Sequence, residues 1–167
     1  MNNDEILKQI ESNDKVEKDI EVKEELFYRY LVFWIGEQKF ALPAEEVHEI
    51  LTYNEIYFVP FVPPYIRGYA NRHGQPYTVF DLQMLFENSG IEGSHLLILK
   101  VPNDQIALLI SDVDEIVKVP DSKIYSLTSQ DETSQYFSGA VNVEETEIFV
   151  LGVSKILERL ESDIERS

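Results

Sequence analysis

From residue 28 onward the chain alternates short apolar runs with turn residues. Tyr30–Ile35 is apolar, Gly36-Glu37-Gln38-Lys39 interrupts it, and Phe40-Ala41-Leu42 resumes it. This pattern predicts a β-hairpin. Further runs at Ile56–Val59, Tyr65–Ala70, Tyr77–Leu82, His95–Val101, Gln105–Ile110, Val113–Val119, Tyr136–Val143 and Glu147–Val153 predict strands. Pro60, Pro63-Pro64, Arg72-His73-Gly74, Ser89-Gly90, Pro102-Asn103-Asp104 and Pro120-Asp121 punctuate them as turns. Helix signals inside this body are brief. Pro43-Ala44-Glu45-Glu46 suits a single turn, with proline early and carboxylates at the positive end, and Leu82–Phe86 suits another. Near residue 153 the period lengthens: Val153, Ile156, Leu157, Leu160 and Ile164 recur at helical spacing. A terminal helix over 154–167 is expected, capped by Ser154 and packing its apolar face on the body. Ahead of the body, residues 1–27 lack glycine and proline, and Ile6, Ile10, Val16 and Ile20 are too sparse for a firm stripe. They read as a disordered or weakly helical arm.

The body repeats itself. At a shift of 66, Leu31-Val32-Phe33 matches Leu97-Ile98-Leu99, Phe40-Ala41-Leu42 matches Ile106-Ala107-Leu108, and Glu46–Ile50 matches Asp112–Ile116. The shift then becomes 71: Tyr65-Ile66-Arg67-Gly68 matches Tyr136-Phe137-Ser138-Gly139, Asn71 matches Asn142, and Val79–Leu82 matches Val150–Val153. The five added residues fit the polar run Ser126–Gln135, which reads as a surface loop. Apolar patterning alone does not supply matched Gly and Asn, so a duplication is the better account. Each half offers about five strands, and closing such a small antiparallel sheet removes its exposed edges. The expected fold is mainly β: two small five-stranded β-barrels, the first over about 28–93 and the second over about 94–153, with a C-terminal helix and a flexible acidic arm. Gly68 and Gly139 would sit at equivalent sharp bends.

Charge narrows the range of partners. Of 167 residues 31 are acidic and 14 basic, a formal charge of −17 with histidine neutral. A chain of this sign repels phosphate, which argues against nucleic acid and against anionic membrane surfaces. Cysteine is absent, so no disulfide, thiolate metal site or thiol nucleophile is available. No run approaches 18 apolar residues and the N-terminus is acidic, so neither a bilayer-spanning helix nor a signal peptide is expected and the protein reads as cytoplasmic.

Catalytic signals are few. His48, His73 and His95 fall in no metal-ligand pattern, and no nucleophile elbow or phosphate-cradling glycine loop occurs. Glu45, Glu46 and Glu49 could pair as catalytic carboxylates, but in so acidic a chain a solvated face is the simpler account. The unusual stretch is Ile56–Phe80, 25 residues without one acid. It carries Arg67, Arg72 and His73, seven aromatics and four prolines. Tyr, Phe and Arg are enriched in interface cores where acids are depleted, and prolines lower the ordering cost of binding. About half of these aromatics face the core by strand alternation. Tyr69 or Phe80 takes that role here, leaving Arg67, Arg72 and His73 for contact.

Taken in order, Val47-His48-Glu49-Ile50-Leu51, Val59-Pro60, Pro63–Gly68, Asn71-Arg72-His73-Gly74 and Pro76–Leu82 resemble the CheW family, the adaptor proteins of bacterial chemotaxis arrays. The resemblance covers about residues 28–158. It implies two small barrels, no enzyme activity, no cofactor and no metal. It further implies an adaptor that couples methyl-accepting chemoreceptors to a CheA-type histidine kinase. One barrel would dock on the kinase's regulatory domain, and the groove between barrels would meet the receptor's cytoplasmic tip. By position, Val47 and Glu49 fall in the family's Val-x-Glu-Ile segment and Gly68 keeps its glycine. Asn71 and Gly74 keep the ends of its Asn-Leu-Arg-Gly turn, and Asp81 keeps the acid of its Val-x-Asp-Leu strand end. The partner-binding set implied, together with the three contact residues above, is Val47, Glu49, Arg67, Gly68, Asn71, Arg72, His73, Gly74 and Asp81. The departures are His73 where the family has its turn arginine, Arg72 where it has leucine, and Ser111 and Gly152 where second-half acids stand. Three other readings compete: a coupling module of a non-chemotaxis array, a sensor stacking a purine-like ring on the aromatic groove, and a carboxylate-pair enzyme.

Overall fold

The computed structural model describes residues 25–52, 55–87, 89–93, 95–127 and 135–165. The expected arm, up to residue 24, lies outside them, as does most of the Ser126–Gln135 run. The described residues form twelve strands and two helices in order: β1 Phe27–Ile35, β2 Gln38–Pro43, β3 Val47–Leu51, β4 Ile56–Tyr57, β5 Ile66–Arg72, β6 Gln75–Phe80, α1 Leu82–Glu87, β7 His95–Leu99, β8 Ile106–Ile110, β9 Asp112–Pro120, β10 Ile124–Ser126, β11 Phe137–Val143, β12 Thr146–Leu151 and α2 Val153–Glu165. Ala44–Glu46 and Asp121–Lys123 are single 3-10 turns. Two strands escaped the sequence reading. β3 follows directly on a helical turn, and β10 is three residues long.

The strands form two six-stranded sheets. One has the order β9-β1-β2-β12-β11-β10, the other β3-β7-β8-β6-β5-β4. Each thus adds one short strand to the five expected. The expected division into barrels at 28–93 and 94–153 is corrected by this order. Hairpin β1–β2 of the first half sits in the sheet of β9–β12, and hairpin β7–β8 of the second half sits in the sheet of β3–β6. The halves have exchanged hairpins, and they did so symmetrically. Val150 pairs with Ala41 in parallel just as Val79 pairs with Ala107, and the register breaks at Phe137/Gly139 as it does at Ile66/Gly68. The shifts of 66 and 71 relate every one of these positions.

The exchange explains why those hairpins are apolar without alternation. Leu31, Phe33, Ile35, Phe40 and Leu42 belong to a large core shared with the second sheet, whereas Tyr30, Val32 and Ala41 belong to a smaller core with Val119, Val141, Ile148 and Val150. Both faces of β1 are therefore covered, as a strand buried on two sides requires. β8 is buried at all five residues. α2 lays Ile156 into the larger core, with Val153, Leu157 and Leu160 packed against it. The helix opens at Val153, and the Ile156 N–H donates to Gly152 O at 3.1 Å. Ser154 therefore lies inside the first turn rather than capping it.

Candidate functional site

The acid-free stretch spans β4, a loop, and the β5–β6 hairpin. Gly68 is where β4 meets β5: its φ is +140°, and a Cβ built there would lie 1.9 Å from Tyr57 O. Only glycine permits that approach. Tyr57 and Tyr69 pair across the strands, and their rings stack at 5.3 Å. The Tyr57 phenol is pushed up by the adjacent Glu55 carboxylate, to which it donates at 3.2 Å. Beyond β4 the chain leaves the sheet through Phe58-Val59-Pro60-Phe61-Val62-Pro63-Pro64. Phe58 is 81% exposed and Phe61 103%. Phe61 also has φ +62°, a conformation a bulky residue adopts only at a cost of about 1–3 kcal/mol.

The β5–β6 turn is His73-Gly74, with φ +51° and +78°, between the paired Arg72 and Gln75. Two positive angles define the hairpin turn whose twist suits the flanking strands. Glu144-Glu145 makes the same turn in the second half, φ +49° and +64°. Asn71, His73 and Gly74 are exposed at the tip.

Most of the remaining residues expected to touch partners are tied to neighbours within the fold. Arg72 donates Nε to Glu49 Oε1 at 2.7 Å, Nη2 to Oε2 at 2.8 Å, and Nη1 to Tyr77 OH at 3.3 Å. Glu49 lies on β3, one edge of its sheet, and Arg72 on β5, beside the other edge. The pair therefore draws the two edges together. Arg72's hydrogen bonds and charge, with smaller contributions from His73 and His48, hold the Glu49 carboxyl below its usual range, and Glu49 in turn raises Arg72. Arg67 donates Nε to Asp81 Oδ2 at 2.9 Å and Nη2 to Ile91 O at 2.7 Å. Asp81 is fully buried and also accepts from the Met84 and Ile91 N–H groups. The bond to Met84 caps α1. Val47 is half-buried against the core and Gly68 is buried.

The nine residues expected to touch partners divide by their surroundings in the fold. Glu49, Arg67, Arg72 and Asp81 form two ion pairs that shape the hairpin, Gly68 admits β4, and Asn71, His73 and Gly74 are what the hairpin presents. Of the two aromatics assigned to the core, Phe80 is buried and Tyr69 is 39% exposed. Phe58 and Phe61 were not singled out from the sequence. Their signal was the absence of acids around prolines, which marks a surface but not which rings it exposes.

A second arrangement ties the repeat to α2. Tyr65 OH donates to Asp163 Oδ2 at 2.7 Å, Arg159 bonds the same carboxylate at 3.0 Å, and Arg159 Nη1 donates to Tyr136 OH at 2.8 Å. Tyr65 and Tyr136 are equivalent at the shift of 71. Burial first, then the Asp163 bond, pushes the Tyr65 phenol well above its usual value. Beside this clasp an open groove of about 540 Å³ is lined by Pro63, Pro64, Met84, Leu85 and Phe86. Among the described residues no three His, Asp or Glu side chains are placed to hold a metal ion, and no helix is long and apolar enough to cross a membrane.

The CheW-like domain family matches residues 29–161. The chemotaxis protein CheW of Klebsiella aerogenes is 20% identical over 133 residues, 77% of this chain and 80% of that protein. The crystal structure of the scaffolding protein TtCheW from Thermoanaerobacter tengcongensis superposes with a TM-score of 0.68 at 21% identity, covering 77% of this chain and 90% of that one.

Proposed function

The chain belongs to the CheW-like domain family, and from that premise we propose that it is a chemotaxis adaptor joining a CheA-type histidine kinase to the cytoplasmic tips of chemoreceptors. The family consists of scaffolds and adaptors rather than enzymes. The observation that carries the reading is Phe61, held fully exposed in left-handed backbone among prolines, on the 25-residue stretch Ile56–Phe80 without an acid. Strain of this kind persists where surrounding structure enforces it and function uses it. Large exposed aromatics in a rigid loop are also the anchors binding interfaces favour. The exposed hairpin tip of Asn71, His73 and Gly74 lies at the other end of β5, beside the Glu49–Arg72 pair, and offers a separate contact point. Binding to both partners at once holds them in one assembly, so a small receptor shift changes the population of active kinase. The adaptor would work in the cytoplasm, recruited to membrane-bound receptor arrays.

Calorimetry with the regulatory domain of a CheA-type kinase, and separately with a receptor-tip fragment, tests this. Binding at tens of micromolar or tighter is expected, weakened about tenfold or more by Phe61→Glu with an unchanged melting temperature. Absence of binding to both partners would overturn the proposal.

A further inference from the structure

The row of β1 side chains that enters the core does not stop where the core does. Leu31, Phe33 and Ile35 are buried against the second sheet, and the same row continues outward through Arg29 and Phe27. Opposite them on β9 stand Ile116, Lys118 and Pro120, paired with Leu31, Arg29 and Phe27. Phe27 is 61% exposed and Ile116 54%. The result is a ledge on which a phenyl ring and an isoleucine flank two cations, around a cavity of about 420 Å³ lined by Phe27, Arg29 and Lys118. Like charges directly opposed on neighbouring strands are destabilising. Among the described residues neither cation forms an ion pair, although the chain as a whole carries −17.

We propose that this ledge is the docking place of the chain's own residues 1–24. That segment joins the described chain at Glu25, one residue before Leu26 and Phe27. It carries eight acids against four lysines, interleaved with Ile6, Leu7, Ile10, Val16, Ile20 and Val22. Carboxylates beside aliphatic side chains complement cations beside Phe27 and Ile116. Covalent attachment makes even a weak contact effective, because a short tether sets a local concentration of order millimolar. A coil of this length has a root-mean-square span of about 27 Å, so the whole ledge is within reach. A docked arm would neutralise the opposed cations and cover the apolar surface beside them. A partner seeking that surface would have to displace it. The inference is independent of the adaptor reading.

The absence of cysteine permits a clean test in the full chain. Ser12→Cys provides a single site for a nitroxide label, and amide peak intensities report its distance. At low salt the Ile116–Val119 amides, remote from the label in sequence, should lose intensity. That loss should disappear in Arg29→Glu/Lys118→Glu and at about 0.5 M salt, where charges are screened within about 5 Å. Arg29→Gln/Lys118→Gln gives an intermediate recovery, and unmoved peaks elsewhere establish that both variants keep the fold. Equal intensities in wild type and variants would overturn the proposal. So would intensity loss arising only between labelled and unlabelled chains in a mixed sample, which would assign the ledge to a second copy.

Discussion

Gly68→Ala is the sharpest perturbation available at the adaptor surface. The added Cβ would lie 1.9 Å from Tyr57 O, and real Cβ contacts do not fall below 3.0 Å. Tyr57 must retreat by about 1.1 Å, or β4 must leave. A side chain at φ +140° itself costs about 1–3 kcal/mol. Releasing β4 sets a ceiling on the cost of the clash, because β4 pairs at only two positions, Ile56↔Ala70 and Tyr57↔Tyr69. Its ladder bonds contribute about 1 kcal/mol each and the Tyr57–Tyr69 stack about 0.5–1.5 kcal/mol. Together with the backbone strain the expected loss is up to about 3–6 kcal/mol, a fall in melting temperature of about 6–24 °C for a chain of this size. Hydrogen exchange should speed up at Ile56 and Tyr57 while Leu96–Leu99 stay protected. Because β4 leads directly into the loop that carries Phe58 and Phe61, partner affinity should fall with it. Gly139→Ala is the internal control: its Cβ would lie 2.3 Å from Tyr125 O, at the equivalent bend of the other sheet, so stability falls while partner affinity holds. A Gly68→Ala protein with wild-type melting and wild-type protection of β4 would refute this account.

Other outcomes follow from the two clasps. Glu49 has a depressed carboxyl pKa, so its contribution is present above the ordinary carboxylate range and is lost as pH falls through the folded value. Wild type should exceed Glu49→Gln in urea midpoint at pH 7, and the two should converge toward pH 3. Parallel curves across that range would exclude the pair as the cause. Tyr65 has a raised phenol pKa, so its contribution is complete below about pH 10 and is lost as pH rises through the folded value. In a spectroscopic titration it should ionise after the exposed tyrosines. Tyr65→Phe should cost about 1.5–3 kcal/mol, because its bond is to a charged carboxylate, and Tyr136→Phe should cost less, because its hydroxyl is the less buried of the two. Denaturant unfolding of the two variants checks the order. His73→Arg should change affinity for the receptor tip if the hairpin tip makes the contact; unchanged affinity for both partners would place the contact on Phe58 and Phe61 alone.

Much of this architecture is written in local pattern. Strand periods, the turns at His73-Gly74 and Glu144-Glu145, the glycines that admit a neighbouring backbone and the change to helical period at Val153 all depend on residues near each other in sequence. The duplication was legible for the same reason. Equivalent strands need equivalent local residues, whichever sheet they join. The sheet in which each hairpin sits was not legible. β1–β2 and β7–β8 are apolar on both faces, so they satisfy either half, and only packing across the whole molecule selects the exchanged pairing with its parallel contacts at Val79–Ala107 and Val150–Ala41. The same limit applied to the site. Sequence located the acid-free surface, because charge is counted residue by residue. Whether an arginine there meets solvent or a carboxylate depends on strands far apart in the chain. Arg67 meets Asp81 across its own β5–β6 hairpin, but Glu49 reaches Arg72 only once strands from opposite sides of the sheet come together. That approach made Arg72 a brace, while His73, Phe58 and Phe61 stayed exposed.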